Sequence, residues 1–205
     1  MFRIKICGIT NESDALHAVA CGADALGFVF FAGSPRCVEP DVVRAIIEKI
    51  PAEVTTVGLF VNETPEVVNQ VATRSGISLV QLHGDETPDL CRQIDLPVMK
   101  AIRVRDAESL AGWSEYPVEA ILLDAWHPEK FGGTGEACDW KLAADLAQKT
   151  KIILAGGLKP DNVAEAVKIV RPHGVDISSG VEQSPGQKDP EKVSAFIRNA
   201  RESLK

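Results

Sequence analysis

Six apolar, strand-length runs in this chain each end in a polar or glycine-rich residue. They are Lys5-Ile6-Cys7-Gly8, 30–36, Gln81-Leu82-His83-Gly84, Leu122-Leu123-Asp124, Ala155-Gly156-Gly157 and 176–180. A helical pattern follows most of them. Chemistry-bearing groups therefore collect where strands end and helices begin. If the strands are parallel, all these groups share one edge of the sheet. In a closed (β/α)8 barrel that edge is the mouth that holds the active site.

The alternation runs along the whole chain. Over 2–7, Phe2, Ile4 and Ile6 alternate with Arg3, Lys5 and Cys7, which is the period of a strand. A helical pattern over 11–20 follows, with Asn11 or Ser13 as its cap. Further strands are predicted over 25–31, 55–61, 77–82, 98–102, 120–123, 152–154 and 175–177. Helices are predicted between them over 40–50, from Pro65, over 87–93, weakly over 107–113, from Trp140, from Pro160 and over 190–201. Pro65 suits a first helical turn. Eight or so βα units with short connections imply parallel strands and right-handed crossovers. The predicted fold class is α/β, a single compact (β/α)8 TIM barrel forming one domain over 1–205. The rival is an open doubly wound sheet. No Gly-x-Gly-x-x-Gly turn follows the first strand, which counts against its dinucleotide-binding form.

Composition narrows the partners. The net charge is −7, which opposes a nucleic-acid or anionic-membrane surface and obliges any anionic ligand to find a local positive site. The longest apolar runs are strand-sized, too short to span a bilayer. The opening MFRIKICGIT carries no apolar signal segment. Five cysteines without a CxxC spacing fit a reducing, cytoplasmic setting and no structural metal.

Each polar strand end has a bland and a functional reading. Cys7 is either a small buried hydrophobe or a reactive thiol. Lys5, two residues earlier on the same face, is placed to favour the thiolate. Asp124 is a turn former or a proton donor. The loop 125–139 that follows it, with Gly132-Gly133-Thr134-Gly135, has the length of a functional lid. Arg36 is a solvated loop residue or a fork donor to a carboxylate. His83 is a satisfied core residue or a substrate contact. Gly156-Gly157 and Ser179-Gly180 are tight turns or, at the seventh and eighth strand ends of a barrel, a phosphate site. Glycine there lets backbone amides approach an anion, and a helical turn from Gly180 would add its dipole.

Together these segments resemble the phosphoribosylanthranilate isomerase family. The resemblance rests on Lys5-Ile6-Cys7-Gly8-Ile9-Thr10, Gln81-Leu82-His83-Gly84, Leu123-Asp124, Gly132-Gly133-Thr134-Gly135, Leu154-Ala155-Gly156-Gly157-Leu158, Pro160 with Asn162, and Val175-Asp176 through Ser179-Gly180-Val181-Glu182. They occur in the family's order from Lys5 to Asp189. One departure is Cys138, where the family commonly carries an aromatic residue. The resemblance implies a (β/α)8 barrel and an Amadori rearrangement of a small phosphosugar, with no cofactor and no metal. It implies Asp124 as general acid, Cys7 as general base, Arg36 beside the anthranilate ring and carboxylate, and Gly156, Gly157, Ser179 and Gly180 as the phosphate site. Other readings remain: a different phosphosugar isomerase or lyase, a Schiff-base enzyme on Lys100, or a non-catalytic phospho-ligand sensor.

Overall fold

Eight strands of three to seven residues run parallel and close on themselves in the order β1 to β8. The computed structural model describes residues 1–125 and 139–204. The strands are β1 (Ile4–Cys7), β2 (Ala25–Val29), β3 (Thr55–Phe60), β4 (Leu79–Leu82), β5 (Val98–Val104), β6 (Ala120–Ala125), β7 (Ile152–Leu154) and β8 (Gly174–Ile177). Closure comes from β8 returning to β1, with Lys5 opposite Asp176 and Ile6 opposite Ile177. The helices are α1 (Glu12–Ala20), α2 (Pro40–Ile47), α3 (Pro65–Ser75), α4 (Pro88–Cys91), α5 (Trp140–Ala147), α6 (Val163–Val170) and α7 (Pro190–Ser203). No described helix is long and apolar enough to cross a membrane.

Local chemistry starts α1, α3, α4 and α7 where it was expected. Asn11 caps α1, its side-chain oxygen accepting from the Asp14 amide at 2.9 Å. Thr64, Thr87 and Asp189 cap α3, α4 and α7 in the same way, each with proline in the first turn. α3 stops at Gly76, which takes a left-handed φ of 77°.

The period-2 alternation of each strand sorts side chains between two environments. Outward residues such as Ile4, Ile6, Leu26 and Phe28 pack against the helices with Ala15, Ala18, Phe196 and Ile197. Full burial of a side chain of the Leu or Phe class stabilises the fold by about 1.5–3 kcal/mol. The opposite face of the strands forms a separate apolar layer from Ala25, Val57, Leu79, Met99, Leu122 and Ile153, joined by Phe2. Beyond that layer toward the strand ends come Lys5, Gln81 and Asp176, all buried. A polar layer inside a barrel survives only if its members satisfy one another.

Four features differ from expectation. α4 covers only Pro88–Cys91 of the helix predicted over 87–93. The weak helix predicted over 107–113 is a pair of 3₁₀ turns, Ala107–Leu110 and Trp113–Glu115. Asp106 and Ser109 form a reciprocal capping box, and Gly112 with φ 71° then breaks the turn. α6 begins at Val163 rather than at Pro160, because Asn162 ties up the loop. Its side chain accepts from the Lys159 amide at 2.7 Å and donates to the Gly157 carbonyl at 2.9 Å. The hairpin of β9 (Glu182–Ser184) and β10 (Gln187–Lys188) after β8 had no counterpart in the sequence reading.

Candidate active site

Cys7 ends β1, and its thiol lies in the barrel mouth beside Val29, Leu59 and Val61. Gly27 on β2 makes the room: a Cβ there would stand 2.7 Å from the Cys7 sulfur and 2.9 Å from Lys5 Cε. Lys5 is fully buried, and its ammonium donates to Gln81 Oε1 at 2.8 Å and Asp176 Oδ2 at 3.0 Å. The Cys7 thiol lies close enough for its charge and that of the ammonium to favour each other. Burial opposes the ammonium's charge, but Asp176 and Cys7 more than offset it, and the Lys5 pKa lies above its ordinary value.

Lys5 was expected to favour the Cys7 thiolate, and its charge acts in that direction, as does that of Lys188. Burial is the larger effect and Asp176 adds to it, so the Cys7 pKa stands above the usual thiol value.

Asp124 sits one residue before the end of β6. Its Oδ1 accepts from the Ala125 amide at 2.9 Å, and its Oδ2 lies 3.2 Å from His83 Nε2. On the other side of the ring, His83 Nδ1 is 2.8 Å from Gln81 Nε2. One hydrogen-bonded string therefore runs from Asp124 through His83, Gln81 and Lys5 to Asp176. Gly156 presses on the acid end of it. A Cβ at Gly156 would be 2.5 Å from the Ala125 nitrogen and 2.9 Å from Asp124 Oδ1.

Arg36 crosses the mouth next to Cys7; a Cβ on Gly8 would be 2.6 Å from Arg36 Cδ. Its fork is not open as expected. Nε and Nη2 bind Glu182 Oε1 and Oε2 at 2.8 and 2.7 Å. The bidentate pair raises the Arg36 pKa despite partial burial. Lys188 Nζ reaches the same carboxylate at 2.9 Å. Burial works against the Glu182 charge, yet Arg36 and Lys188 together hold its carboxyl below the usual range. Burial outweighs Glu182 for Lys188, whose pKa is lowered. What Arg36 offers a ligand is its remaining edge and its planar face.

At the far side of the mouth, Gly156 and Gly157 take φ of 73° and 65° after β7. Among the described residues, no acceptor is hydrogen-bonded to their amides. Ser179 to Val181 form one 3₁₀ turn after β8, shorter than a helix. Gly180 packs against the Leu158 carbonyl closely enough to exclude any Cβ. The two turns are thus in contact through 158 and 180.

Residues 4–199 match the family described as N-(5'phosphoribosyl)anthranilate (PRA) isomerase. The chain belongs to this family. An N-(5'-phosphoribosyl)anthranilate isomerase of Trichlorobacter lovleyi is 55% identical over 205 residues, covering 100% of each chain. The crystal structure of the phosphoribosyl anthranilate isomerase of Thermotoga maritima superposes with a TM-score of 0.91 at 43% identity, covering 98% of this chain and 100% of that one. A phosphoribosyl anthranilate isomerase crystallised with reduced 1-(o-carboxyphenylamino)-1-deoxyribulose 5-phosphate matches with a TM-score of 0.87 at 41% identity, covering 98% of this chain and 100% of that one.

Within this PRA isomerase barrel, Cys7, Arg36, His83, Asp124 and both glycine turns gather at one mouth. Gly132–Gly135 and Cys138 lie outside the described residues. Sequence reasoning gave no role to Gln81, Asp176, Glu182 or Lys188. A signal was present for Gln81: it stands two residues before His83 and so shares its face of β4, as Lys5 shares that of Cys7. Among the described residues, no trio of His, Cys, Asp or Glu side chains is arranged to hold a metal ion.

Proposed function

We propose that Cys7 and Asp124 are the base and acid with which this PRA isomerase converts N-(5-phosphoribosyl)anthranilate to 1-(2-carboxyphenylamino)-1-deoxyribulose 5-phosphate. The chain acts as one domain over 1–205 on a small phosphosugar. Asp124 protonates the ring oxygen, the C1–O bond breaks, and the nitrogen lone pair forms an iminium. The cation acidifies the proton on C2, which Cys7 removes. The resulting enolamine takes a proton at C1 and loses one from the C2 hydroxyl, leaving the ketone. Nothing is oxidised or reduced overall.

The observation that carries this reading is that the thiol ending β1 and the carboxylate of β6 face one mouth, with the buried side chains of Lys5, Gln81 and His83 between them. Arg36 holds the anthranilate moiety by its free edge and face. The amides of Gly156, Gly157, Ser179 and Gly180 hold the phosphate, supported by the open left-handed glycine turns. The neutral cation balance is local: Lys5 and Lys188 lie near Cys7, within a chain of net charge −7. A reducing cytoplasm is the assigned compartment, supported by the four described cysteines all being free thiols.

Turnover of phosphoribosylanthranilate tests the assignment. Cys7→Ala and Asp124→Asn should each lower kcat by about 10²-fold or more, with a smaller change in KM and an unaltered circular dichroism spectrum. Wild-type kcat in either variant, with chemistry rate-limiting, overturns that residue's role.

A further inference from the structure

The buried string between the two catalytic groups has a direction, and one side chain in its middle sets it. We propose that Gln81 is a positioning residue which, oriented by Lys5, fixes His83 as the neutral Nε2–H tautomer so that the imidazole donates to Asp124. This rests on Asp124 being the acid of the reaction, but its structural content can be measured without turnover.

The argument follows donors and acceptors. An ammonium has three protons and no lone pair. Lys5 keeps its charge, held by Asp176 at 3.0 Å, so whatever faces Lys5 must accept. The group at 2.8 Å is the Gln81 amide, and its oxygen must be the end that points there. The amide nitrogen then points the other way, to His83 Nδ1 at 2.8 Å. An amide NH₂ only donates, so Nδ1 must hold a lone pair. In a neutral imidazole the proton is then on Nε2. Nε2 faces Asp124 Oδ2 at 3.2 Å, and the bond runs from imidazole to carboxylate. Each group's orientation is dictated by the one before it, beginning from the one member that cannot accept.

The same geometry excludes the imidazolium. A second proton on Nδ1 would face the Gln81 NH₂, donor against donor, inside a region where neither group reaches water. A charged His83 would also hold Asp124 as an ion pair, which suits a poor acid. A neutral His83 orients the carboxyl while leaving the proton of the reaction to Asp124. Lys5 also acts on Cys7 through its charge, so one ammonium favours the thiolate and orders the acid through two side chains.

The four histidines of the chain make the test tractable. Histidine labelled with ¹⁵N at both ring positions, with His83→Asn used for assignment, reports the protonation of each ring nitrogen in the folded wild-type protein. At neutral pH, Nδ1 of His83 should resonate as an unprotonated nitrogen and Nε2 as a protonated one. A wild-type His83 protonated at Nδ1, alone or on both nitrogens, overturns the proposal. In Gln81→Glu the near-isosteric carboxylate accepts from Lys5 and from the ring, so Nδ1 should become protonated. There kcat should fall about tenfold or more, a part of the 10²–10⁴ that acid–base groups supply, with KM changed far less. If that variant does not fold, Gln81→Met removes the directing NH₂, and His83 should then show both tautomers. An unchanged single Nε2–H tautomer in a folded variant removes Gln81 from the role. Full turnover in Asp124→Asn would instead refute the acid assignment and leave the tautomer result standing.

Discussion

Two ionisable residues at the mouth make predictions of opposite kinds, because one titrates and one is pinned. Cys7 must be a thiolate to take a proton from C2, and burial has raised its pKa. The thiolate fraction therefore grows as pH rises, but the proposed acid Asp124 must keep its proton, so the gain in base is offset by the loss of acid. The kcat/KM of the free enzyme should be level across neutral pH and fall on the alkaline side, above about 8.5, the value of a free cysteine. Cys7→Asp, whose carboxylate is ionised beside Lys5, should bring that fall to lower pH. A fall at the same pH in wild type and Cys7→Asp contradicts Cys7 as the titrating base. Glu182 is different: it is held ionised by Arg36 and Lys188, and its work is geometric. Glu182→Gln keeps the shape but offers a single oxygen, so Arg36 loses one arm of its fork. Because the substrate carboxylate is present in ground and transition states alike, KM should rise about tenfold with kcat nearly constant. A fall in kcat at unchanged KM would show that Arg36 acts on the reacting atoms. The sequence offered Cys7, Arg36, His83 and Asp124 by their strand-end positions. It hid Glu182 because its partner lies 146 positions away, and no local pattern reports such a pairing.

At the scale of elements, the loop after β7 leans on the end of β6 through Gly156. Two glycines separate backbone strain from site geometry. Gly156 and Gly76 share a left-handed φ, 73° and 77°. Nothing lies within 4 Å of a Cβ at Gly76, whereas at Gly156 it meets the Ala125 nitrogen and Asp124 Oδ1. Alanine at either position costs about 1–2 kcal/mol for the conformation alone. At about 2–4 °C per kcal/mol for a chain of this size, both variants should melt several degrees lower. Only Gly156→Ala should also lose kcat, since it displaces the carboxyl of Asp124. Equal kcat in the two variants would mean that the β7 loop does not set the acid. Elements with strong local signals were legible: α1 with its Asn11 cap, α3 and α7 with their opening prolines, and strands with clean alternation. The segments 87–93 and 107–113 were not, because short polar turns with few apolar positions have no period to read.

At the scale of the molecule, closure of the barrel was an inference from the count of βα units, and what realises it is the pairing of β8 with β1. Lys5 and Asp176, 171 positions apart, face each other across that seam. The same closure brings the β7 and β8 turns together with the mouth of β1, where the proposed anion site would lie in a protein of net charge −7. The substrate carries a phosphate and a carboxylate, so the field of the whole chain repels it while the site must attract it. In the proposed site, backbone amides at Gly156, Gly157, Ser179 and Gly180 would do this at short range and add no net charge. Screening distinguishes the two contributions. Between about 0.01 and about 0.15 M salt, the screening length falls from about 30 to about 8 Å. Long-range repulsion then fades, while contacts made at hydrogen-bonding distance persist. Over that range of sodium chloride, KM should stay level or fall. A site built from lysine and arginine side chains would show the reverse, a KM that rises steeply as salt competes for the cations. Such a rise would place the phosphate away from these turns, and with it the geometric argument that sets the sugar between Cys7 and Asp124.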